Sequence, residues 1–143
     1  MHHKRPESVL IVVYTQACEV LMLRRKYPND FWQSVTGSLE WDEAPLDAAI
    51  RELQEETGLI KQELHDCQYS KVFEIYSIWR ERYAPGVTEN TEHVYTVELP
   101  EKVAIVLDPK EHEQYLWLPQ KQAMELAFSP TNQEAIRRWV PEV

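Results

Sequence analysis

The sequence has few cysteines, few basic residues and no long apolar run. Cys18 and Cys67 are too few for the disulfide scaffold of a small secreted domain. Fifteen Lys and Arg against 24 Asp and Glu leave a net charge of −9. That charge argues against a nucleic-acid polymer as the main partner, since nothing offsets phosphate repulsion. No stretch reaches the roughly 18 apolar residues of a membrane span, and the charged first residues lack a signal-type apolar core. We therefore expect a cytoplasmic protein with reduced thiols.

The length and composition are those of one globular domain. Of the 143 residues, 43% are apolar and 27% are charged, so we expect a single domain with its own core over residues 1–143. The acidic balance still permits a small phosphorylated ligand, because a divalent cation can bridge carboxylates to phosphates. The oligomeric state cannot be read from these features.

Apolar patterning predicts a mixture of strands and helices. Pro45 suits the first position of a helix that runs to about Thr57, with Gly58 as its left-handed cap. Ser129 followed by Pro130 predicts the start of the last helix. The expected fold is an α/β domain with a mixed β-sheet. The other predicted elements are strands at residues 8–14, 19–26, 72–79, 92–99 and 115–118 and helices at residues 120–128 and 132–140.

Three glutamates crowd the end of the first helix. Glu52, Glu55 and Glu56 fall on one face, where the negative end of the helix dipole disfavours each carboxylate by roughly 0.3–1 kcal/mol. Glu52 and Glu56 also repel each other as like charges four residues apart. Most acidic clusters are simply solvated surfaces. These penalties favour a cation site instead, because Mg²⁺ takes carboxylate oxygens together with substrate phosphates.

The remaining positions of this segment complete the hypothesis. The helical period places Arg51 away from the acidic face, so no adjacent positive charge relieves the cluster. Leu46, Ile50 and Leu53 are predicted to form the stripe that faces the core. Gly37 ends a strand and leads into the loop before the helix. It has no cap to explain it, so a close backbone approach towards the acids is expected.

Residues 37–59 resemble the Nudix box, a 23-residue pattern in which glycine, glutamate, arginine and aliphatic residues occupy fixed positions. The matching segment is GSLEWDEAPLDAAIRELQEETGL. Every fixed position of the pattern is filled, by Gly37, Glu43, Arg51, Glu52, Leu53, Glu55, Glu56, Gly58 and Leu59. Membership of this family implies an α/β/α sandwich that hydrolyses a nucleoside diphosphate linked to another group, with Mg²⁺ or Mn²⁺.

The resemblance also implies roles for the box residues. Glu52, Glu55 and Glu56 would hold metal directly or through water and carry the catalysis, with the general base left open among the glutamates. Arg51 and Glu43 would brace the helix against the loop. Many members have Ser or Thr at the position that Ala44 occupies in this chain. The helix therefore lacks the usual hydroxyl cap.

Outside the box, nearly the whole chain is similar to bacterial Nudix hydrolases of folate synthesis, which cleave dihydroneopterin triphosphate to the monophosphate and pyrophosphate. The segments DFWQSVTGS (residues 30–38) and RYAPGVT (residues 82–88) carry most of this similarity. It implies that Glu111 joins the metal ligands. The implied substrate contacts are Lys4, Arg25, Thr36, Phe73, Glu74, Ile75, Tyr76 and Ser129.

Several of these residues also have an ordinary structural interpretation. Lys4 and Arg25 would suit a triphosphate, yet they also fit a mobile terminus and an exposed strand end. Phe73 and Tyr76 offer stacking area to a flat ring but are common strand residues, and Glu111 is by default a solvated loop acid. Two aromatic residues are expected to be packing residues, Trp32 and Trp79.

Three other functions compete with pterin triphosphate hydrolysis. The first alternative is a nucleotide pyrophosphohydrolase that prefers a purine such as dATP and has a housecleaning role. Processing of RNA 5′ ends is disfavoured by the acidic balance. A Nudix-fold sensor that binds without cleavage is disfavoured too, because such modules usually lose box glutamates and this chain keeps all of them.

Overall fold

A mixed seven-stranded sheet organises the computed structural model, which describes residues 3–142. The strands are β1 Glu7–Thr15, β2 Glu19–Arg25, β3 Trp32–Gln33, β4 Val35–Ser38, β5 His65–Glu74, β6 Glu89–Leu99 and β7 His112–Pro119. The helices are α1 Pro45–Thr57, α2 Gln120–Leu126 and α3 Pro130–Trp139, with a 3₁₀ helix at Ser77–Arg82.

Strand β1 lies at the centre of the sheet. The strand order is β3-β2-β1-β6-β5, with β4 also paired to β1 and β7 also paired to β2. β1 and β6 run parallel in an unbroken register from Glu7–Thr91 to Thr15–Leu99, and the other pairs are antiparallel. β4 covers only the first half of β1, from Ser8 to Ile11, so the box loop begins beside the centre of the sheet.

Two hydrophobic cores lie on the two faces of the sheet. Val9 and Ile11 of β1 pack with Leu53 of α1 in one core, whereas Leu10 packs with Ile136 of α3 in the other. Successive side chains of a strand point to opposite faces, so a strand buried on both faces appears as a continuous apolar run. The predicted α/β/α sandwich with a mixed sheet is confirmed.

Helix α1 has the predicted ends. Pro45 occupies its first turn, and Gly58 caps it in the left-handed region, with φ of 80° and its N–H donating to the carbonyl of Gln54 at 2.9 Å. Ala44 precedes the helix without a side-chain cap. These ends depend on local backbone preferences, which is why the sequence predicts them well.

The predicted core stripe of α1 is wrong at two of its three positions. Leu46 and Ile50 are both 47% exposed, and only Leu53 is buried. The helix instead turns two small residues, Ala48 and Ala49, towards the sheet. Small side chains let the helix approach the strands closely, and the larger aliphatic residues are left at the edge of the contact.

The segment after β5 also differs from the prediction. Residues 72–79 were expected to form one strand, but β5 begins at His65 and ends at Glu74, and the chain then enters the 3₁₀ helix. Two left-handed residues, Lys61 and Gln68, break the regular backbone near the start of this strand. No helix within residues 3–142 is both long and apolar enough to cross a membrane.

The orientation of α1 can be tested by truncating two side chains on it. Leu53→Ala should lower the free energy of unfolding by about 2–5 kcal/mol, because it leaves a cavity in the core. Ile50→Ala, the matched control on the exposed side, should cost less than about 1 kcal/mol. Urea unfolding of both variants measures this, and equal losses would contradict the observed orientation.

Candidate active site

An acidic cleft of about 400 Å³ lies between α1, β4 and the loop before β7. It is lined by all four residues that the sequence assigns to metal, Glu52, Glu55, Glu56 and Glu111, although they are up to 59 positions apart in the chain. Asp108 lines the same cleft and was not predicted. Its position in the polar stretch before β7 is the feature that could have suggested it.

Glu56 is the buried member of this group. It is only 4% exposed, and within residues 3–142 no donor reaches its Oε1. Its carboxyl lies beside that of Glu52, and the two groups influence each other's pKa. Burial raises the pKa of both groups, and the pKa of Glu56 lies well above its usual value, because the neighbouring Glu52 adds to the effect of burial. The pair therefore tends to retain a proton unless a positive charge replaces it.

Gly37 makes room for Glu52. A Cβ built on Gly37 would lie 2.1 Å from Cδ of Glu52, inside the carboxylate's own space. The glycine at the end of β4 is thus explained by close approach, as its position suggested, and any side chain here displaces the acid.

The expectation that no positive charge relieves the acidic cluster is wrong. Arg51 reaches across the helix end, and its Nη1 donates to Glu52 Oε1 at 2.8 Å and to Glu55 Oε1 at 3.1 Å. Glu43 accepts two further hydrogen bonds from the same guanidinium, at 2.8 and 2.9 Å. The long arginine side chain covers positions that its Cα direction does not face. Within the described residues no Lys or Arg side chain pairs with Glu56.

The guanidinium of Arg51 also anchors the loop before α1. It donates to the backbone carbonyl of Ser38 at 3.1 Å, and Glu43 Oε1 accepts the N–H of Glu40 at 3.0 Å. Arg5, which was not predicted, donates to the carbonyls of three residues of this loop, Glu40, Trp41 and Glu43. Arginine bonds thus hold the loop where the helix lacks a hydroxyl cap.

His112 is a buried neighbour of Glu56 that the sequence reasoning missed. It is 1% exposed, and its Nδ1 lies 3.8 Å from Glu56 Oε1. Burial, followed by the charge of Arg25, lowers the pKa of His112 to about 4, so the ring is neutral at pH 7. Its Nε2 lies 3.1 Å from the amide nitrogen of Gln33. If Gln33 donates, the imidazole proton sits on Nδ1 and faces the carboxyl.

The cleft fits a divalent cation. Within residues 3–142 no three His, Cys, Asp or Glu side chains converge into a preassembled metal centre. The fit comes instead from Glu52 and Glu56, a buried pair with raised pKa values and one oxygen that no donor satisfies. Oxygen ligands of this kind suit hard divalent cations, and such an ion would replace the retained proton.

An apolar cavity of about 380 Å³ opens beside the cleft. The two share four lining residues, Lys4, Thr36, Gly37 and Ser38, so β4 is their common wall. Most of the substrate contacts that the sequence predicts line this cavity, namely Lys4, Thr36, Phe73, Glu74, Ile75, Tyr76 and Ser129. The hydroxyl of Ser129 also caps α3, accepting the N–H of Asn132 at 3.1 Å.

Aromatic side chains from three segments form one wall of the cavity. Tyr76 lies 5.2 Å from Phe128 and 5.6 Å from Trp79 between ring centroids. Trp79 packs against the rings of Phe31 and Tyr76, as expected, and it also lines the cavity. Trp32 does pack against the core on the α3 side, as expected. Phe128 was missed because nothing in its local sequence distinguishes it from a helix-end packing residue.

Three cationic side chains gather where the cleft and the cavity meet. Burial and the charge of Arg82 lower the pKa of Lys4, with Arg25 adding to the effect and Glu111 opposing it. Arg25 does not line the cavity. Its guanidinium lies 5.1 Å from the ring centroid of Trp79. Arg82 lines the cavity and was not predicted as a contact, although it begins the RYAPGVT segment.

The comparisons with known proteins agree with this geometry. The NUDIX domain profile matches residues 4–140. The chain belongs to the Nudix family. Its Nudix relatives include the dihydroneopterin triphosphate diphosphatase of Escherichia coli K12, which is 46% identical over 96% of this chain and 94% of that protein. The protein of the same name from Haemophilus influenzae is 43% identical over 98% of this chain and 90% of its own length.

Solved Nudix structures share the fold. The E. coli dihydroneopterin triphosphate pyrophosphohydrolase superposes with a TM-score of 0.92 at 45% identity, covering 98% of both chains. A Nudix hydrolase structure from Listeria monocytogenes reaches a TM-score of 0.80 at 18% identity, over 95% of this chain and 92% of that one, a likeness of fold alone.

Substituting Gly37 should separate activity from stability. In Gly37→Ala the new methyl group meets the end of a flexible side chain, so Glu52 moves and the fold survives. We expect hydrolysis of a triphosphate substrate to fall by about tenfold or more, with the melting temperature changed by only a few degrees. Gly86→Ala gives the contrasting control: with φ of 90° and open space around it, it should cost about 1–2 kcal/mol of stability. Full activity in Gly37→Ala would contradict the steric role.

The raised pKa of Glu56 predicts a pH-dependent stability difference in the absence of divalent metal. The folded protein holds a proton that the unfolded chain releases, so this stabilisation is present below the unfolded pKa and is lost as pH rises. Glu56→Gln should therefore become more stable relative to the original protein as the pH rises above the ordinary glutamate pKa of about 4.5. Urea unfolding with a chelator measures this. The exposed Glu55→Gln is the control, and a difference independent of pH would refute the prediction.

Proposed function

We propose that this Nudix protein is a pyrophosphohydrolase that cleaves dihydroneopterin triphosphate to dihydroneopterin monophosphate and pyrophosphate, with Mg²⁺ as its metal and Mn²⁺ as a substitute. One observation carries the proposal: a buried acidic cleft that fits a cation shares a wall with an aromatic cavity of ring size. The relatives of that name, 43–46% identical over nearly the whole chain, support the same substrate.

The metal would be held by Glu52, Glu55 and Glu56 of α1, with Glu111 on the opposite side of the cleft. When bound, a divalent cation neutralises phosphate oxygens and acidifies a water for attack on phosphorus. Arg51 holds the helix end against the loop and keeps Glu52 and Glu55 oriented. One of the three box glutamates orients or deprotonates the water.

The cavity and its cationic rim would hold the rest of the substrate. Tyr76 and Trp79 present faces and edges that suit a flat bicyclic ring. Lys4, Arg25 and Arg82 would neutralise the triphosphate where it leaves the cavity for the cleft. Thr36 belongs to both spaces and would contact the substrate between its ring and its phosphates.

A purine nucleotide such as dATP is the second candidate substrate. It shares the triphosphate and a bicyclic nitrogen heterocycle, and a cavity of about 380 Å³ accommodates either ring. In both cases the partner is a small molecule, and the charge of −9 makes a nucleic-acid polymer a poor one. The free thiols of Cys18 and Cys67 support a reducing compartment, and we propose the cytoplasm.

Product analysis tests this proposal directly. The protein with Mg²⁺ should convert dihydroneopterin triphosphate to monophosphate and pyrophosphate in equal amounts, with no inorganic phosphate as primary product. The kcat/KM for the pterin should exceed that for each of the four dNTPs. A larger kcat/KM for a dNTP would overturn the choice of substrate, and release of inorganic phosphate would overturn the site of cleavage.

Two variants of the cleft should differ in severity. Glu56→Gln should reduce turnover by about 10³-fold or more while the fold survives, because the amide cannot replace the buried carboxylate. Glu111→Ala should act more mildly and raise the Mg²⁺ concentration needed for half-maximal rate, since Glu111 is exposed. Activity of Glu56→Gln similar to that of the original protein would remove the proposed metal role.

A further inference from the structure

Four polar side chains meet in the wall of the cavity, and one of them, Thr36, also lines the acidic cleft. Ser8 comes from β1, Thr36 from β4, and Asn90 and Glu92 from β6, and all four line the cavity. Glu92 Oε2 accepts hydrogen bonds from Thr36 Oγ1 at 3.2 Å and from Ser8 Oγ at 3.4 Å. The amide nitrogen of Asn90 donates to Ser8 Oγ at 2.8 Å. This polar group is therefore fixed in position by neighbours on three strands.

Two acceptors in this group have no donor. Asn90 is 2% exposed and Glu92 is 6% exposed. Within residues 3–142 no hydrogen-bond donor reaches Asn90 Oδ1, which is fully buried, and none reaches Glu92 Oε1. A buried acceptor without a partner costs free energy, so unmet acceptors in a cavity wall indicate a ligand that brings N–H groups.

Within residues 3–142 no cationic side chain pairs with Glu92. His93, its neighbour in sequence, points to the opposite face of the strand and binds Glu7 at 2.6 Å. Lys71 lies opposite Glu92 in the register of β5 and β6 and lines the cavity, but its ammonium makes no ion pair with Glu92. A structural carboxylate would normally be paired at this depth. This one has only two hydroxyl donors, so its structural role is incomplete.

We propose that Glu92, with Asn90 beside it, recognises the hydrogen-bonding edge of the substrate's ring. A 2-amino-4-oxo ring such as a pterin presents two adjacent donors, the N3–H and the 2-amino group, which match the two oxygens of a carboxylate. This inference rests on the proposed function and names the residues that select its ring.

The same carboxyl can serve adenine in its other protonation state. The adenine edge needs a donor for N1 and an acceptor for the 6-amino group, and a neutral carboxylic acid supplies both. Burial raises the pKa of Glu92 to about 7, with Thr36 and Ser8 opposing the shift, so both forms are populated near neutral pH. One residue thus accounts for use of a pterin and of a purine such as dATP.

The two tyrosines beside Glu92 titrate well above neutral pH. Tyr76, at the end of β5, and Tyr83, after the 3₁₀ helix, have pKa values raised by burial and by the Glu92 charge, above their usual value near 10. β1 and β4 present hydroxyls to Glu92. The other charged residues that line the cavity are Lys4, Lys71, Glu74, Arg82 and Glu134. A change in ring preference near pH 7 that is lost in Glu92→Gln therefore reports on Glu92.

The decisive measurement is a ratio of two substrates in one variant. The glutamine amide of Glu92→Gln presents one acceptor and one N–H donor. Its N–H group would face an N–H group of the pterin, whereas both of its groups still pair with the acceptor and donor of adenine. The ratio of kcat/KM for dihydroneopterin triphosphate to that for dATP should fall by about tenfold or more. Glu98→Gln, an exposed change on the same strand, should leave the ratio unchanged. An equal loss for both substrates in Glu92→Gln would overturn the proposal.

The pH dependence of the same ratio gives a second test in the unmodified protein. Effects on metal and phosphates cancel in the ratio, because both substrates use the same cleft. As Glu92 ionises, the ratio should rise between about pH 6 and about pH 8, and it should stay flat in Glu92→Gln. A flat ratio in the unmodified protein would overturn the protonation argument even if the variant failed to fold.

A binding assay separates this inference from the proposed function. Dihydroneopterin itself, without phosphates, should bind the metal-free protein, and Glu92→Gln should weaken its Kd by about tenfold or more. If the unmodified protein hydrolyses no triphosphate yet binds this ring through Glu92, the proposed function fails and the recognition site stands. If hydrolysis proceeds and the Kd is unchanged in the variant, the recognition site fails alone.

Discussion

The buried carboxyl of Glu56 is the constraint on which the site depends. It lies beside a second carboxyl, that of Glu52, in a position where burial disfavours its charge and where its Oε1 has no donor within the described residues. Leaving such a group unpaired is costly, and a protein arranged only for stability would replace it. Gly37 and Arg51 are arranged around this pair, one by leaving space and the other by holding Glu52 from the side. The fold therefore maintains a carboxylate position that fits a divalent cation.

Strand β4 joins the two halves of the site. It is only four residues long, yet Thr36 and Gly37 face both the cleft and the cavity. The backbone of Thr36 lowers the pKa of Glu56, and its hydroxyl donates to Glu92 on the other side. A ligand that fills the cavity and extends into the cleft must pass this strand. The distance between ring recognition and phosphate chemistry is thus set by one short, rigid element.

Positively and negatively charged side chains occupy separate parts of the site. The chain is acidic overall, but Lys4, Arg25 and Arg82 come together at the rim, close enough to depress the pKa of Lys4. Cations concentrated beside carboxylates suit a substrate that carries several negative charges and a metal at once. The cavity itself holds Glu92, to which the proposal assigns the ring and not the phosphates. Under that proposal, three local electrostatic environments would contact three parts of one small molecule.

The parts of the site that the sequence determined are those set by local geometry. The helix of the box and its glycine cap follow from local backbone preferences. The common face of its glutamates follows from the helical period of 3.6 residues. The reach of Arg51 did not follow, because a long flexible side chain is directed by its partners and not by its Cα. The rotation that exposes Ile50 was decided by how closely Ala48 and Ala49 approach the sheet.

The residues that only the tertiary structure could identify lie far apart in the chain. Ser8, Thr36 and Glu92 become neighbours through strand pairing, and a lone glutamate in an alternating strand looks like a solvent-facing residue until the other layer is placed above it. Arg82 and His112 join the site from loops and strand ends whose paths no local pattern specifies. Short-range interactions fix the chemistry of the box, whereas long-range packing decides what surrounds it.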